Sequence, residues 1–266
     1  MTEFFQIVIA SPLRKVIAVS MLALAGCTTT TDLPEAQSSH QSQAEGLYQA
    51  AQYQNAGKLS REAAVARFHR VMPRVRQAGV NYCRTTRPGG SDAFCAVDIA
   101  IDPKLKEPNA YFTFNKGRPI VRVSVPLLQE SGSDDEVAFV IGHEYGHMLG
   151  QHIQKTVRQA QAGALILGAL TAAMGADAST VDLGMDIGAT IGGRAYSKEY
   201  ELESDILGTR IAYAAGYDPV KGVQFFVRSA AKSGSRGQGN FWSTHPSDRR
   251  RVEVVLAEVE RIRAGR

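Results

Sequence analysis

The chain has 266 residues, 30 Lys and Arg against 26 Asp and Glu (formal net charge +4), 44% hydrophobic residues and 21% charged ones. That composition excludes a disordered chain, a collagen-like repeat and a polytopic membrane protein, and the length allows one large domain or two small ones. The basic residues are scattered apart from short runs such as Arg249-Arg250-Arg251, and no nucleic-acid-binding motif accompanies them, so no nucleic-acid partner is expected.

In chain order, Arg14-Lys15 precede the apolar run Val16 to Ala25, which closes in Leu24-Ala25-Gly26-Cys27. A basic start, a short apolar run and small residues at the cut describe a secretory signal peptide, and the run is too short to span a bilayer. The cysteine placed after Leu-Ala-Gly resembles the lipobox of bacterial lipoproteins. That resemblance implies that residues 1–26 are removed and that Cys27 is lipidated, a lipid anchor holding the protein to a membrane. Thr28 in place of Asp, by resemblance to the enterobacterial sorting pattern, points to the outer membrane, facing the periplasm.

Residues 27–45 are rich in Thr, Ser, Gln and Asp with no apolar period, and read as a flexible tether to a folded body over 46–266. From Ser60 to Gln77 the spacing predicts a helix, with Ser60 as N-cap and Val65, Phe68, Val71, Met72 and Val75 on its apolar side. With Cys27 assigned to lipid, Cys83 and Cys95 form an even pair in an oxidising compartment, read as a disulfide. Closing that loop is worth about 3 kcal/mol in the chain-entropy account; the alternative is two free thiols. Phe94 to Ile101 alternates and stops at Asp102-Pro103, as a strand followed by a turn does. Tyr111–Phe114 and Ile120–Val125 flank Asn115-Lys116-Gly117-Arg118, a hairpin signal. In the second arm Val121, Val123 and Val125 share one face while Ile120, Arg122 and Ser124 share the other, and this arm reads as an edge strand. From Ser133 to the C-terminus the pattern is helical. Strands followed by helices indicate an α+β fold.

Ser133 opens a capping box with Glu136, and the helix it starts carries His143-Glu144-Tyr145-Gly146-His147. Two histidines four apart share a helix face and can reach one zinc ion, with Glu144 turned aside to hold a water rather than the metal. A catalytic zinc needs a third protein ligand and an open position. The pattern His-x-x-Gly-x-x-His fails by one residue, because the required position is Ile153 and the histidine is His152, which reads as a helix-end residue. The other source is a glutamate on a second helix. Glu201 and Asp205 lie at i, i+4 on one face, whereas Glu199 pairs with Glu203 on another with no aspartate below.

These features together resemble the HtpX-like and CAAX-prenyl-protease-type zinc metallopeptidases, peptidase family M48. The resemblance rests on Asn109-Ala110 before the hairpin, Pro126-Leu127-Leu128 after it, His143-Glu144-x-x-His147, Glu201-x-x-x-Asp205 and Thr244-His245-Pro246, in the family's order. It is nearest to short lipoprotein members, since Gln159–Ala176 falls short of a membrane span. It implies a mostly helical gluzincin-type core with a small antiparallel sheet whose edge strand borders the active-site cleft. His143, His147 and Glu201 would hold one Zn2+ per chain, Glu144 would be the catalytic base, and Asp205 would orient a ligand. His245 would lie near the metal, either as an oxyanion donor or as a regulatory fourth ligand. The implied activity is endopeptidase cleavage of unfolded or misfolded envelope proteins. The competing reading is a latent zinc-site protein acting as a holdase or assembly factor for outer-membrane proteins.

Overall fold

A computed structural model describes residues 29–51, 57–87, 92–193, 196–232, 241, 245–246 and 248–265. The expected leader 1–26, Cys27 and Thr244 lie outside the described residues. Helix α1 (Ser38–Ala51) is followed by α2 (Arg61–Thr86) and the short α3 (Asp92–Cys95). Strands β1 (Asp98–Ile101), β2 (Ala110–Asn115) and β3 (Arg118–Val123) come next, then α4 (Val125–Glu130). The remainder is helical: α5 (Asp134–Leu149), α6 (His152–Ala173), α7 (Ala178–Gly193), α8 (Lys198–Ala214), α9 (Pro219–Gly222), α10 (Gln224–Lys232) and α11 (Arg249–Arg263). The α+β expectation holds. Chain contacts divide the molecule into a larger unit, Thr29–Ile153 with Ala195–Arg266, and a smaller one that includes Gln154–Arg194.

Helix α2 starts at the expected cap, with the Ser60 hydroxyl accepting from the Ala63 N–H. It runs past Gln77 to Thr86, and its last turns carry Cys83, which is bonded to Cys95 with the Cα atoms 5.6 Å apart. The apolar side Phe68, Val71 and Val75 is buried in the same core as Val137, Val140 and Ile141 of α5. Helix α1 occupies part of the segment expected to be a tether: it begins at Ser38, and His40 and Ala44 are buried. Its apolar residues are too few to register as a period, yet His40 Nε2 meets the Glu260 carboxylate at 2.7 Å.

The hairpin forms where Asn-Lys-Gly-Arg stands. Lys116 and Gly117 adopt positive φ of 50° and 76°, the two-residue turn whose twist matches the strands. The sheet order is β1-β3-β2, with β2–β3 antiparallel and β1–β3 parallel. This corrects two expectations: the sheet is mixed rather than antiparallel, and the second hairpin arm is its central strand, leaving β2 at the edge. Alternation along Val121 and Val123, both fully buried, cannot separate these cases because central and edge strands share the same period of two. The parallel neighbour shows only in space, where Arg122 reaches back to the Asp98 carboxylate at 2.7 Å. Ser124 does not face solvent; it is buried and caps α4 by accepting from the Leu127 N–H. Phe94, expected at a strand start, lies in α3.

In the smaller unit, Leu165, Ile166, Leu170 and Met174 are exposed along α6 and just beyond it. Among the described residues no helix is long and apolar enough to cross a membrane.

Candidate metal centre

Helix α5 enters the core as its cap predicts: the Ser133 hydroxyl accepts from the Glu136 N–H at 3.2 Å. Glu136 does not complete the reciprocal box. Its carboxylate accepts instead from the Gly132 N–H and forms a buried ion pair with Arg228. From Glu136 to Leu149 every residue is buried, so the two histidines project into protein rather than solvent. Helix α8 crosses α5 at unusually short range. A Cβ on Gly208 would lie 2.8 Å from the His143 backbone nitrogen, and one on Gly146 would lie 2.8 Å from the Ser204 carbonyl oxygen. Glycine at this seam brings the carboxylates of α8 to the imidazoles of α5.

Four ligand-type groups converge there: His143, His147, Glu201 and His245, each offering one atom within 4.8 Å of the others. The Nε2 atoms of His143 and His147 are 3.0 Å apart. Glu201 Oε1 lies 3.4 Å from His147 Nε2, and Oε2 lies 3.6 Å from His143 Nε2. His245 points Nδ1 at the same centre, 3.3 Å from His143 Nε2 and 2.9 Å from Glu201 Oε1. Tetrahedral zinc at its usual bond lengths separates neighbouring ligand atoms by about 3.3 Å, so the spacing fits that ion. A second observation agrees: the buried atom Glu144 Oε1 has no hydrogen bond, and buried polar atoms left this way call for a ligand, ion or water.

The other expected residues stand around the centre. Asp205 Oδ1 lies 2.9 Å from His143 Nδ1, placed to accept its proton and leave Nε2 bare toward the centre. Glu144 is buried beside it, 3.4 Å from His245 Nε2, and its carboxylate accepts the N–H of Phe112 from the edge strand β2. The strand bordering the site is therefore β2, not the Ile120–Val125 arm. Glu199 is exposed and takes no part.

Electrostatics follow from burial. Desolvation pushes His143 and His147 well below the usual histidine range, keeping both imidazoles neutral. Desolvation likewise raises the Glu144 carboxyl to about 7. Burial alone would raise Glu201 too, but His245, Arg251 and His147 outweigh it and hold this carboxyl well below its usual value. Burial would lower His245, yet the Glu201 and Glu144 carboxylates hold it above the ordinary value. Asp205 is raised to about 6 by desolvation, against the pull of Arg251.

Arg251 is the participant that sequence reasoning missed. The last of the run Arg249-Arg250-Arg251, it is buried, with Nε 2.6 Å from Asp205 Oδ2, Nη1 3.0 Å from Glu201 Oε2 and its guanidinium 4.2 Å above the Phe226 ring. A signal was present: Arg251 falls on the same helix stripe as Val255 and Glu258, all three buried. His152 and Glu203 were also set aside, and both are fully buried beside the centre.

Comparison with known proteins gives a consistent picture. The sequence profile described as Peptidase family M48 matches residues 95–259. The chain is similar to the protein named mitochondrial metalloendopeptidase OMA1 from Arabidopsis thaliana, with 30% identity over 129 residues, 48% of this chain and 25% of that protein. It is also similar to the OMA1 proteins of Schizosaccharomyces pombe (26% identity; 63% of this chain, 47% of that protein) and Saccharomyces cerevisiae (27%; 59% and 45%). The chain thus spans between a quarter and about half of the length of the curated relatives it matches.

Proposed function

The chain belongs to peptidase family M48, and from that premise we propose that it is a zinc-dependent endopeptidase of the gluzincin type. The observation that carries this reading is the convergence of His143, His147, Glu201 and His245 on one buried point, with the unpartnered Glu144 oxygen beside it. His143, His147 and Glu201 would hold the ion. Bound zinc would supply Lewis acidity toward a water and toward a peptide carbonyl.

The protein's own groups do the rest. Glu144 takes a proton from the attacking water and delivers it to the leaving amine nitrogen, a task suited to a carboxyl that burial has raised to about 7. Asp205 keeps His143 in the Nδ1–H form, and Arg251 neutralises the buried carboxylates of Asp205 and of the ligand Glu201. The outer edge of β2, whose Phe112 N–H already meets Glu144, offers the main chain on which an extended substrate adds as a further strand. Such binding reads backbone and suits unfolded or misfolded segments. The Cys83–Cys95 bond supports an oxidising compartment, and with the lipobox at Cys27 we assign the protein to the bacterial envelope, anchored at the outer membrane and facing the periplasm, with misfolded envelope proteins as substrates.

A second reading is favoured by two distances. With His245 Nδ1 only 2.9 Å from Glu201 Oε1 and 3.3 Å from His143 Nε2, His245 is placed to be a fourth ligand, closing the site in a latent or holdase form. One experiment separates the two: casein-type proteolysis by zinc-loaded wild type, Glu144→Gln and His245→Ala. The enzyme reading expects Glu144→Gln to keep zinc and lose activity by about 10²–10⁴-fold. A His245→Ala variant faster than wild type identifies a latent resting state. Zinc-loaded protein that cleaves no unfolded substrate in any of the three forms refutes the enzyme reading.

A further inference from the structure

We propose that His152 is a positioning residue for the metal ligand His147, held in one tautomer by Glu203. This inference rests on the metal reading of the centre and adds to it a residue that the ligand motif does not contain.

The argument begins with the backbone between α5 and α6. Gln151 takes a left-handed φ of 55°, which folds the chain back so that the His152 ring returns over the end of α5. The ring lies where a side chain on residue 150 would be: a Cβ on Gly150 would stand 2.2 Å from His152 Nε2. There it stacks on Tyr200 of α8, with centroids 4.5 Å apart and planes 11° apart, and is fully buried. Its two nitrogens have distinct partners. Nε2 is 2.9 Å from Glu203 Oε2, and Nδ1 is 2.9 Å from His147 Nδ1.

Unlike the Nε2 atoms of His143 and His147, which face the ion site, these two nitrogens have no ion to hold between them, so one must donate a proton and the other accept. Glu203 decides which. Its other oxygen, Oε1, accepts the Thr30 N–H at 2.5 Å, the Thr30 hydroxyl at 2.5 Å and the Thr31 N–H at 2.8 Å. Three donors on Oε1 fix the carboxylate and stabilise it as the anion, leaving Oε2 to accept from His152 Nε2–H. His152 Nδ1 then carries a lone pair and accepts from His147 Nδ1–H, with the Ser204 oxygen 3.2 Å away as a further neighbour. His147 Nε2 is thereby bare, facing Glu201 and His143. The opposite arrangement would put the proton on His147 Nε2 and turn a lone pair on His152 toward the Glu203 anion. His147 thus has what Asp205 gives His143, a fixed acceptor behind the ligand, built here from a histidine and a carboxylate in series.

The test uses the full chain. In zinc-free wild type, nitrogen-15 NMR of the imidazoles should show His147 as the Nδ1–H form and His152 as the Nε2–H form. Zinc affinity, read by competition with a chromophoric chelator, should fall about 10–100-fold in His152→Phe and in Glu203→Gln. The double variant should lose no more than the His152→Phe single, because both act along one path. A His147 ring protonated at Nε2 in wild type overturns the inference, and this measurement stands even where a variant fails to fold. So does a folded His152→Phe whose zinc affinity stays within about twofold of wild type, since typical losses behind a ligand are larger. A wild type that takes up no zinc refutes the metal reading instead, while the tautomer measurement still decides the relay.

Discussion

Replacing Gly208 by alanine tests whether the close crossing of α5 and α8 sets the metal geometry. The new Cβ would stand 2.8 Å from the His143 nitrogen and 3.0 Å from both the Gly142 carbonyl carbon and the His143 Cα. Ordinary contact needs about 3.5 Å, so the two helices must part by about 0.5–0.7 Å, because the three nearest atoms are all backbone that no rotamer change can move. Alanine gains about 1 kcal/mol of helix propensity over glycine. Overpacking a filled site costs about 1–3 kcal/mol, and with backbone on the far side the upper end applies, leaving a net loss near 2 kcal/mol. The same shift exceeds the roughly 0.2 Å tolerance of metal–ligand distances, so Glu201 is carried out of register with His143 and His147. Urea unfolding of the zinc-free protein and a zinc competition titration read the two effects separately. Gly142→Ala meets the same seam, 2.9 Å from the Gly208 carbonyl oxygen, and the double variant should cost less than the sum of the singles. A Gly208→Ala protein as stable as wild type, with unchanged zinc affinity, refutes the reasoning.

Arg251→Met should destabilise the protein by about 3–5 kcal/mol, because it leaves the buried Asp205 and Glu201 carboxylates without their cation; urea unfolding midpoints measure it, and a loss below about 1 kcal/mol would contradict it. With its carboxyl raised to about 7, Glu144 is about half protonated in metal-free protein at pH 7, and a cation arriving beside it lowers that value. Zinc binding should therefore release about half a proton more from wild type than from Glu144→Gln. Calorimetry in two buffers of different ionisation enthalpy reads that difference, and its absence would refute the raised value. Cys27→Ser should abolish lipidation, and detergent partitioning should then move the protein to the aqueous phase; a variant still held at the membrane would give the anchoring role to the apolar stretch Gln159–Ala176.

What the sequence made legible is what repeats locally. The His143–His147 spacing lies within one helix, the Ser133 cap announces that helix, and Glu201 with Asp205 shows the same period four, so most of the centre could be assembled from two helix faces. His245 came only through the family resemblance, as no periodicity points to it. Arg251 was missed, and the burial of His152, which does open a helix as expected, went unseen, for one reason: their carboxylate partners Asp205 and Glu203 stand 46 and 51 residues away along the chain, and nothing local says that a charged or imidazole side chain will be buried. Hydropathy treats Arg251 as surface, while the fold surrounds it with carboxylates and a phenyl ring. The sheet fails in the same way. The turn chemistry of Lys116-Gly117 specifies the hairpin, but the parallel partner β1 arrives from outside it.

The groups that converge at the centre are far apart in the chain: His143 and His245 are separated by 102 residues yet their ring nitrogens lie 3.3 Å apart. An ion that needs both can bind only after the hairpin, α5, α8 and the C-terminal segment have assembled. Metal uptake is then coupled to folding, since the native chain binds and the unfolded chain offers scattered single donors. Free metal at 1,000 times its dissociation constant would add about 4 kcal/mol to native stability, of the same order as the whole margin of many domains. Chelation therefore acts on the molecule twice, removing its chemistry and lowering the free energy that keeps it folded. A starved protein of this kind would be cleared as a misfolded chain before it was missed as a catalyst.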